Sequence, residues 1–223
     1  MSRLTLLGAA AILLAGVGAF FALIVSPPDA FQGQYVRIMY VHVPSAATAY
    51  LAVATVAVAS LLYLWRRRPA ADHVARSAAE IGVLFTGLAL ASGMIWGKPV
   101  WGVWWTWDAR LVTTAILFLI YLGYLLVREL AEDAERGARL AAVIGIVGAL
   151  DVPLIHYSVN WFRTLHQPAS IARGDIQMAP PMLAALLLNI AAFALLYAYL
   201  LSLRVRLAHL EAAREAAAVE ELA

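Results

Sequence analysis

The sequence predicts an all-α polytopic membrane protein with six transmembrane helices, on three observations. The 223-residue chain is 64% hydrophobic and 13% charged, with a mean hydropathy of +0.81, whereas a soluble domain carries about a quarter charged residues. Six apolar runs approach or exceed the ~20 helical residues that cross a hydrocarbon core about 30 Å thick. The basic residues fall unevenly on the two sides that six crossings define. No stretch remains for a separate soluble core, so residues 1–223 read as one membrane domain.

In chain order, the first run, Leu4–Val25, is too long for a signal-peptide core and has no convincing small-residue cleavage site, so it reads as a retained anchor. The second is Tyr40–Trp65. The third, Ile81–Trp96, and fourth, Leu111–Val127, are short for full spans, and their ends are expected in flanking aromatic zones. The fifth is Leu140–Tyr157 and the sixth Pro181–Leu203. The tail, about 204–223, is predicted to continue as a cytoplasmic helix with Glu and Arg on a solvated face.

Orientation follows from Lys and Arg. One side holds Arg3, Arg66, Arg67, Arg68, Arg76, Arg128, Arg136, Arg139, Arg204, Arg206 and Arg214; the other holds Arg37, Lys98, Arg110, Arg163 and Arg173. The positive-inside rule therefore predicts both termini in the cytoplasm and the opposite loops in the periplasm, across a bacterial inner (cytoplasmic) membrane. Trp96, Trp101, Trp104, Trp105 and Trp107 cluster around the periplasmic loop between helices 3 and 4, and Trp161 lies in the next outer loop. Cysteine is absent, which excludes disulfides, iron–sulfur ligation and thiolate nucleophiles and leaves His, Met, Tyr or carboxylate to hold any metal. A net charge of +2 from scattered arginines makes no nucleic-acid footprint, and no glycine-rich nucleotide loop is present, so any ATP use belongs to another chain.

Chemistry concentrates on the outer side. Trp101, Trp104, Trp105 and Asp108 stand at i, i+3, i+4 and i+7 and would share one face of a helix, although Gly97, Pro99 and Gly102 predict an irregular start. An ordinary aromatic belt would spread over both interfaces; this one gathers in a single loop and offers a flat platform. His42 ends span two in Arg37-Ile38-Met39-Tyr40-Val41-His42-Val43-Pro44, and His166 lies in Asn160-Trp161-Phe162-Arg163-Thr164-Leu165-His166-Gln167-Pro168. Two neutral imidazoles from different loops on one side could clamp a flat ligand and give low-spin, six-coordinate iron, which points to haem. Arg37, Arg110, Arg163 and Arg173 are candidates for the propionates, at about 1.5–3 kcal/mol each where partly desolvated, with Asp108 a competitor for Arg110. His156 is an alternative to His166. Asp151, an acid within a span, is expected to take a structural or relay role, bonded to Asn160, a Trp N–H or a neighbouring helix. His73 and His209 are expected to be solvated on the cytoplasmic side.

The string Trp101-Gly102-Val103-Trp104-Trp105-Thr106-Trp107-Asp108-Ala109-Arg110-Leu111 resembles the WWD signature of haem-handling membrane proteins, and the likeness extends to Val41-His42-Val43-Pro44 and Thr164-Leu165-His166-Gln167-Pro168. Length and layout resemble the haem exporter protein C (CcmC) subfamily of cytochrome c maturation, over essentially the whole chain. The resemblance implies a WWD haem-handling segment at about 96–111 that holds haem b, as a transported ligand, between axial His42 and His166. It implies a platform of Trp101, Trp104, Trp105, Trp107 and Asp108 that receives haem and docks the periplasmic haem chaperone (CcmE). It further implies work beside an ABC transporter pair (CcmA, CcmB) and a small single-span subunit (CcmD), within membrane lipid.

Three function classes compete. Haem binding and delivery, without enzymatic turnover, accounts best for the outer-face cluster. A redox membrane cytochrome or quinone-linked protein would carry its haem histidines within the spans, and spans one, three, four and six contain none. A permease would need more intramembrane charge than Asp151 provides, and there is no internal repeat.

Overall fold

The computed structural model describes residues 2–166, 176 and 178–221. Among the described residues six long helices form the fold: α1 (Arg3–Phe20), prolonged by a π turn over Phe21–Val25; α2 (Met39–Arg66), entered through a 3₁₀ turn over Gln34–Ile38; α3 (Pro69–Trp101); α4 (Ala109–Leu130); α5 (Ala134–Trp161); and α6 (Pro180–Glu221). All six are long and apolar enough to cross a membrane, and the described residues contain no strand, only an isolated bridge between Asp29 and Gly33. The protein is a multi-pass membrane protein, as the hydropathy pattern predicts.

The helices outrun the predicted spans, α3 most of all. It has 33 residues and begins at Pro69, because α2 stops when Arg67 turns left-handed (φ 51°) and Pro69 suits the first helical position. The loop expected after span two is thus a two-residue turn. Hydropathy misses these turns of α3 because they carry Asp72, His73, Arg76 and Glu80. The opposite end corrects a second expectation. Gly97 and Pro99 lie within α3, which terminates at Trp101 as Gly102 adopts φ +80°. Residues 102–108 are not helical, so the i, i+3, i+4, i+7 alignment of the tryptophans with Asp108 does not form. The predicted tail helix is present: α6 runs unbroken to Glu221.

α2 lies centrally against α3, α5 and α6, while α4 packs on α5 and α3, and α1 on α6. The core between α2 and α5 joins Val53, Val56, Leu117, Tyr121, Tyr124 and Ile155. Lipid tails are as apolar as leucine, so close van der Waals fit rather than hydrophobic transfer holds such helices together. Small residues make that fit: a Cβ on Gly148 would come within 2.6 Å of the Tyr121 ring. Asn189 on α6 donates to the Gly18 carbonyl of α1 at 3.0 Å, fastening the outermost helix.

Ionic contacts gather on the arginine-rich face. Arg128 forms a two-pronged pair with Asp72 at 2.6 and 2.7 Å, with both side chains largely buried. Glu80 receives Arg204 of α6 and Arg76 of its own helix. His73 and His209, expected to be solvated, meet in an exposed contact, Nδ1 to Nδ1 at 3.2 Å.

Candidate functional site

At the tryptophan face the structure brings His42, His166 and Arg110 within electrostatic range of one another.

His42 stands in the second turn of α2. Its Nδ1 lies 3.0 Å from the Ala89 carbonyl oxygen and 3.2 Å from Ser92 Oγ. A carbonyl only accepts, so Nδ1 carries the proton and Nε2 keeps its lone pair. The ring rests beside Gly93, where a Cβ would come within 3.0 Å of Cε1, and meets the edge of Trp96 at 5.7 Å. Ala89, Ser92, Gly93 and Trp96 are at i, i+3, i+4 and i+7 on α3, so a single helix face forms the seat. Trp96 in turn donates to Gln32 Oε1 at 2.9 Å.

His166 ends the non-helical stretch 162–166 after α5. Its Nδ1 is 3.0 Å from Asp108 Oδ2, and its own N–H is held by Thr164 Oγ1 at 3.1 Å. Trp101, the last residue of α3, meets the ring edge-on at 4.8 Å. Burial lowers the His166 pKa, opposed in part by Asp108. The ring is therefore neutral near pH 7, donates through Nδ1 and leaves Nε2 available. No hydrogen bond among the described residues engages Nε2 of either histidine. A metal-binding imidazole is ordinarily held this way, with its distal N–H given to a carbonyl or carboxylate.

Asp108 organises this side. It is the N-cap of α4, accepting from the Leu111 N–H at 3.0 Å, while its Oδ2 also accepts from Thr106 and Thr164. Burial works against its ionised form, but the Leu111 N–H, His166 and Thr164 outweigh it and hold its pKa below the ordinary carboxylate range. It is hydrogen-bonded to His166, where Arg110 was the expected partner.

The remaining candidates divide. Arg110 donates to the His156 carbonyl at 3.2 Å, yet among the described residues its buried Nε has no hydrogen-bond partner, nor has Trp105 Nε1. Two buried donors lacking acceptors suit an anionic ligand group such as a propionate. Trp104 and Trp107 are 56% and 85% exposed, and Trp107 meets Trp105 edge-on. Arg163 is exposed. Arg37 is occupied elsewhere: it donates to Gln34 Oε1 and to the carbonyls of Ala22 and Ser26, tying off the end of the first span. Arg173, Gln167 and Pro168 lie outside the described residues. The His156 ring packs on Tyr157. Asp151 is buried on α5, and its Oδ2 has no hydrogen-bond partner among the described residues. Sequence reasoning missed Ala89, Ser92, Gly93 and Thr164. The only signal was the adjacent Ser92-Gly93 in an apolar run and a threonine two residues before His166.

Residues 2–220 match the family described as CcmC, Heme exporter protein C. The chain is 44% identical to Heme exporter protein C of Bradyrhizobium diazoefficiens over 192 residues, covering 86% of this chain and 73% of that protein. It is 43% identical to Heme exporter protein C of Haemophilus influenzae over 199 residues, covering 88% and 80% respectively. A putative cytochrome c biosynthesis ccmC-like mitochondrial protein of Arabidopsis thaliana is 38% identical over 196 residues, covering 88% and 74%. On a match that spans nearly every residue, over a fold with the expected six helices, the chain belongs to the heme exporter protein C family.

Proposed function

We propose that this protein holds haem b at the periplasmic face of the bacterial inner membrane, with His42 and His166 as axial ligands, and passes it to the periplasmic haem chaperone CcmE for cytochrome c maturation. It does so as the haem-handling subunit of an ABC-type assembly with CcmA, CcmB and CcmD, and without catalytic turnover of its own. One observation carries the reading: two neighbouring imidazoles each spend Nδ1 on a protein acceptor, Ala89 O for one and Asp108 for the other, and keep Nε2 for a metal. Membership of the family supports haem as the ligand. Trp101 and Trp105 line the clamp with apolar surface, and Arg110 with Trp105 Nε1 supplies donors for the propionates.

Purification with haem supplied tests this directly. The wild-type protein is expected to show a low-spin Soret spectrum, and His42→Ala/His166→Ala together to abolish it. An unchanged spectrum in the double variant would remove the bis-imidazole site. A tagged chain co-expressed with the chaperone is expected to co-purify with covalently haem-bearing partner, and to accumulate haem when the partner is omitted.

A further inference from the structure

Building on the haem-holding reading above, we propose that the two imidazoles are mechanically unequal: His42 is the ligand that holds iron longest, and His166 is the one that steps aside first when the cargo leaves.

The argument rests on what holds each ring. Among the described residues, the hydrogen bonds and the ring contact that fix His42 come from one face of α3, through Ala89, Ser92 and Trp96, with Gly93 leaving room for the ring, and its backbone lies inside α2. α2 and α3 share the most extensive helix–helix contact in the protein, so withdrawing His42 means sliding one packed helix along another. The ring lies close over Gly93 and meets the edge of Trp96.

His166 belongs to no helix. Its ring is held by one strong bond, to Asp108 Oδ2, by Thr164 within its own stretch, and by the edge of Trp101. Its departure also orphans nothing. Oδ2 retains the hydroxyls of Thr106 at 3.2 Å and Thr164 at 3.1 Å, and Oδ1 retains the Leu111 N–H. A buried carboxylate left unpaired would oppose the movement, and this one keeps three donors.

Hand-off then begins with a single exchange. The dative bond from His166 Nε2 to iron breaks and a donor atom of the acceptor takes that position while His42 still holds iron; the bond from His42 Nε2 breaks last, as the haem departs with the acceptor. No electron changes hands, and the acceptor approaches from the side of stretch 162–166 and the exposed Trp104 and Trp107.

The test compares His166→Gly with His42→Gly, each purified with haem and then given free imidazole. His166→Gly is expected to retain haem as a high-spin species that imidazole returns to the low-spin spectrum. His42→Gly is expected to lose haem and to resist rescue, because its seat is closed by α3. A second measurement uses wild-type protein. Carbon monoxide added to the ferrous form displaces one ligand, and diethyl pyrocarbonate labels the imidazole set free; peptide mapping is expected to find the new label on His166. Equal loss and equal rescue in the two variants, or carbon-monoxide-dependent label on His42, overturns the assignment while leaving the bis-imidazole site standing. Wild-type spectra in both variants overturn the site itself.

Discussion

Asp108→Ala removes one side chain with several structural duties, and their separate magnitudes can be worked out. The carboxylate caps α4 through the Leu111 N–H, and loss of an N-cap costs about 1 kcal/mol. It also accepts from His166 and Thr164, at about 1.5–3 kcal/mol for each hydrogen bond to an ionised group. The side chains of Asp108 and His166 are only 7% and 19% exposed, so water does little to replace those bonds. The docking of stretch 162–166 is therefore weakened by roughly 3–6 kcal/mol, far more than the helix end. Without Asp108 the His166 ring loses its orientation, and removal of such an outer-shell partner typically lowers metal affinity 10–100-fold, about what is expected here for haem. Asp108→Asn has one acceptor oxygen where the carboxylate uses two, so capping Leu111 turns its NH2 toward the donors His166 and Thr164; its melting temperature should fall below wild type and its haem affinity should lie between wild type and Asp108→Ala. The assay is titration of haem into apo-protein in detergent, followed at the Soret band, beside thermal unfolding of each variant. Haem affinity in Asp108→Ala reduced by less than about tenfold, with His42 and His166 intact, would refute the claim that this carboxylate holds His166.

Gly93→Val should displace the His42 imidazole from Ala89, since even a Cβ comes within 3.0 Å of Cε1; the expected result is a weakened Soret band at unchanged α-helical content by circular dichroism. Arg37→Ala should loosen the 26–33 loop, seen as faster hydrogen exchange there, and leave haem affinity unaltered, whereas Arg110→Ala should lower that affinity. Arg128→Ala leaves Asp72, 13% exposed, as an uncompensated buried charge and should destabilise the protein by about 3–5 kcal/mol, measurable by denaturant unfolding in mixed micelles; adding Asp72→Ala should recover part of the loss. Acid should weaken the apo-protein in two stages. The pKa values of His166 and Asp108 are both lowered in the folded state, so the unfolded chain binds the extra proton first in each case. Stability is complete above the unfolded values, falls below about pH 6.5 as His166 contributes, and falls again near pH 4 with Asp108. A melting temperature flat between about pH 7 and 5 would contradict the His166 shift, and one flat between about pH 4 and 2 the Asp108 shift.

Hydropathy made the six helices legible because lipid demands long apolar runs and helical hydrogen bonding throughout. It failed at the start of α3, where Asp72 and Glu80 look like loop residues until Arg128 and Arg204 arrive from elsewhere in the chain. The tryptophan segment misled for a local reason: helical spacing was present, but Gly102 in the left-handed region ends the helix before the pattern can act. His42 and His166 were readable as a same-side pair from loop parity alone. Their supports were not, because Ala89 contributes a backbone carbonyl, which no side-chain pattern reveals, and Asp108 and His166 are 58 residues apart. Arg37 was assigned to propionates for its charge, yet the end of the first span leaves carbonyls without intrahelical donors, and the nearby cation satisfies them.

α3 is a continuous rod of 33 residues, about 50 Å long at 1.5 Å per residue. Its first turns are moored by Asp72 and Glu80, and farther along the same rod Ala89, Ser92 and Gly93 cradle an imidazole. A lever with both ends so furnished needs no chain of intermediate contacts: tilting it at the arginine-rich end shifts the cradle at the other in the same stroke.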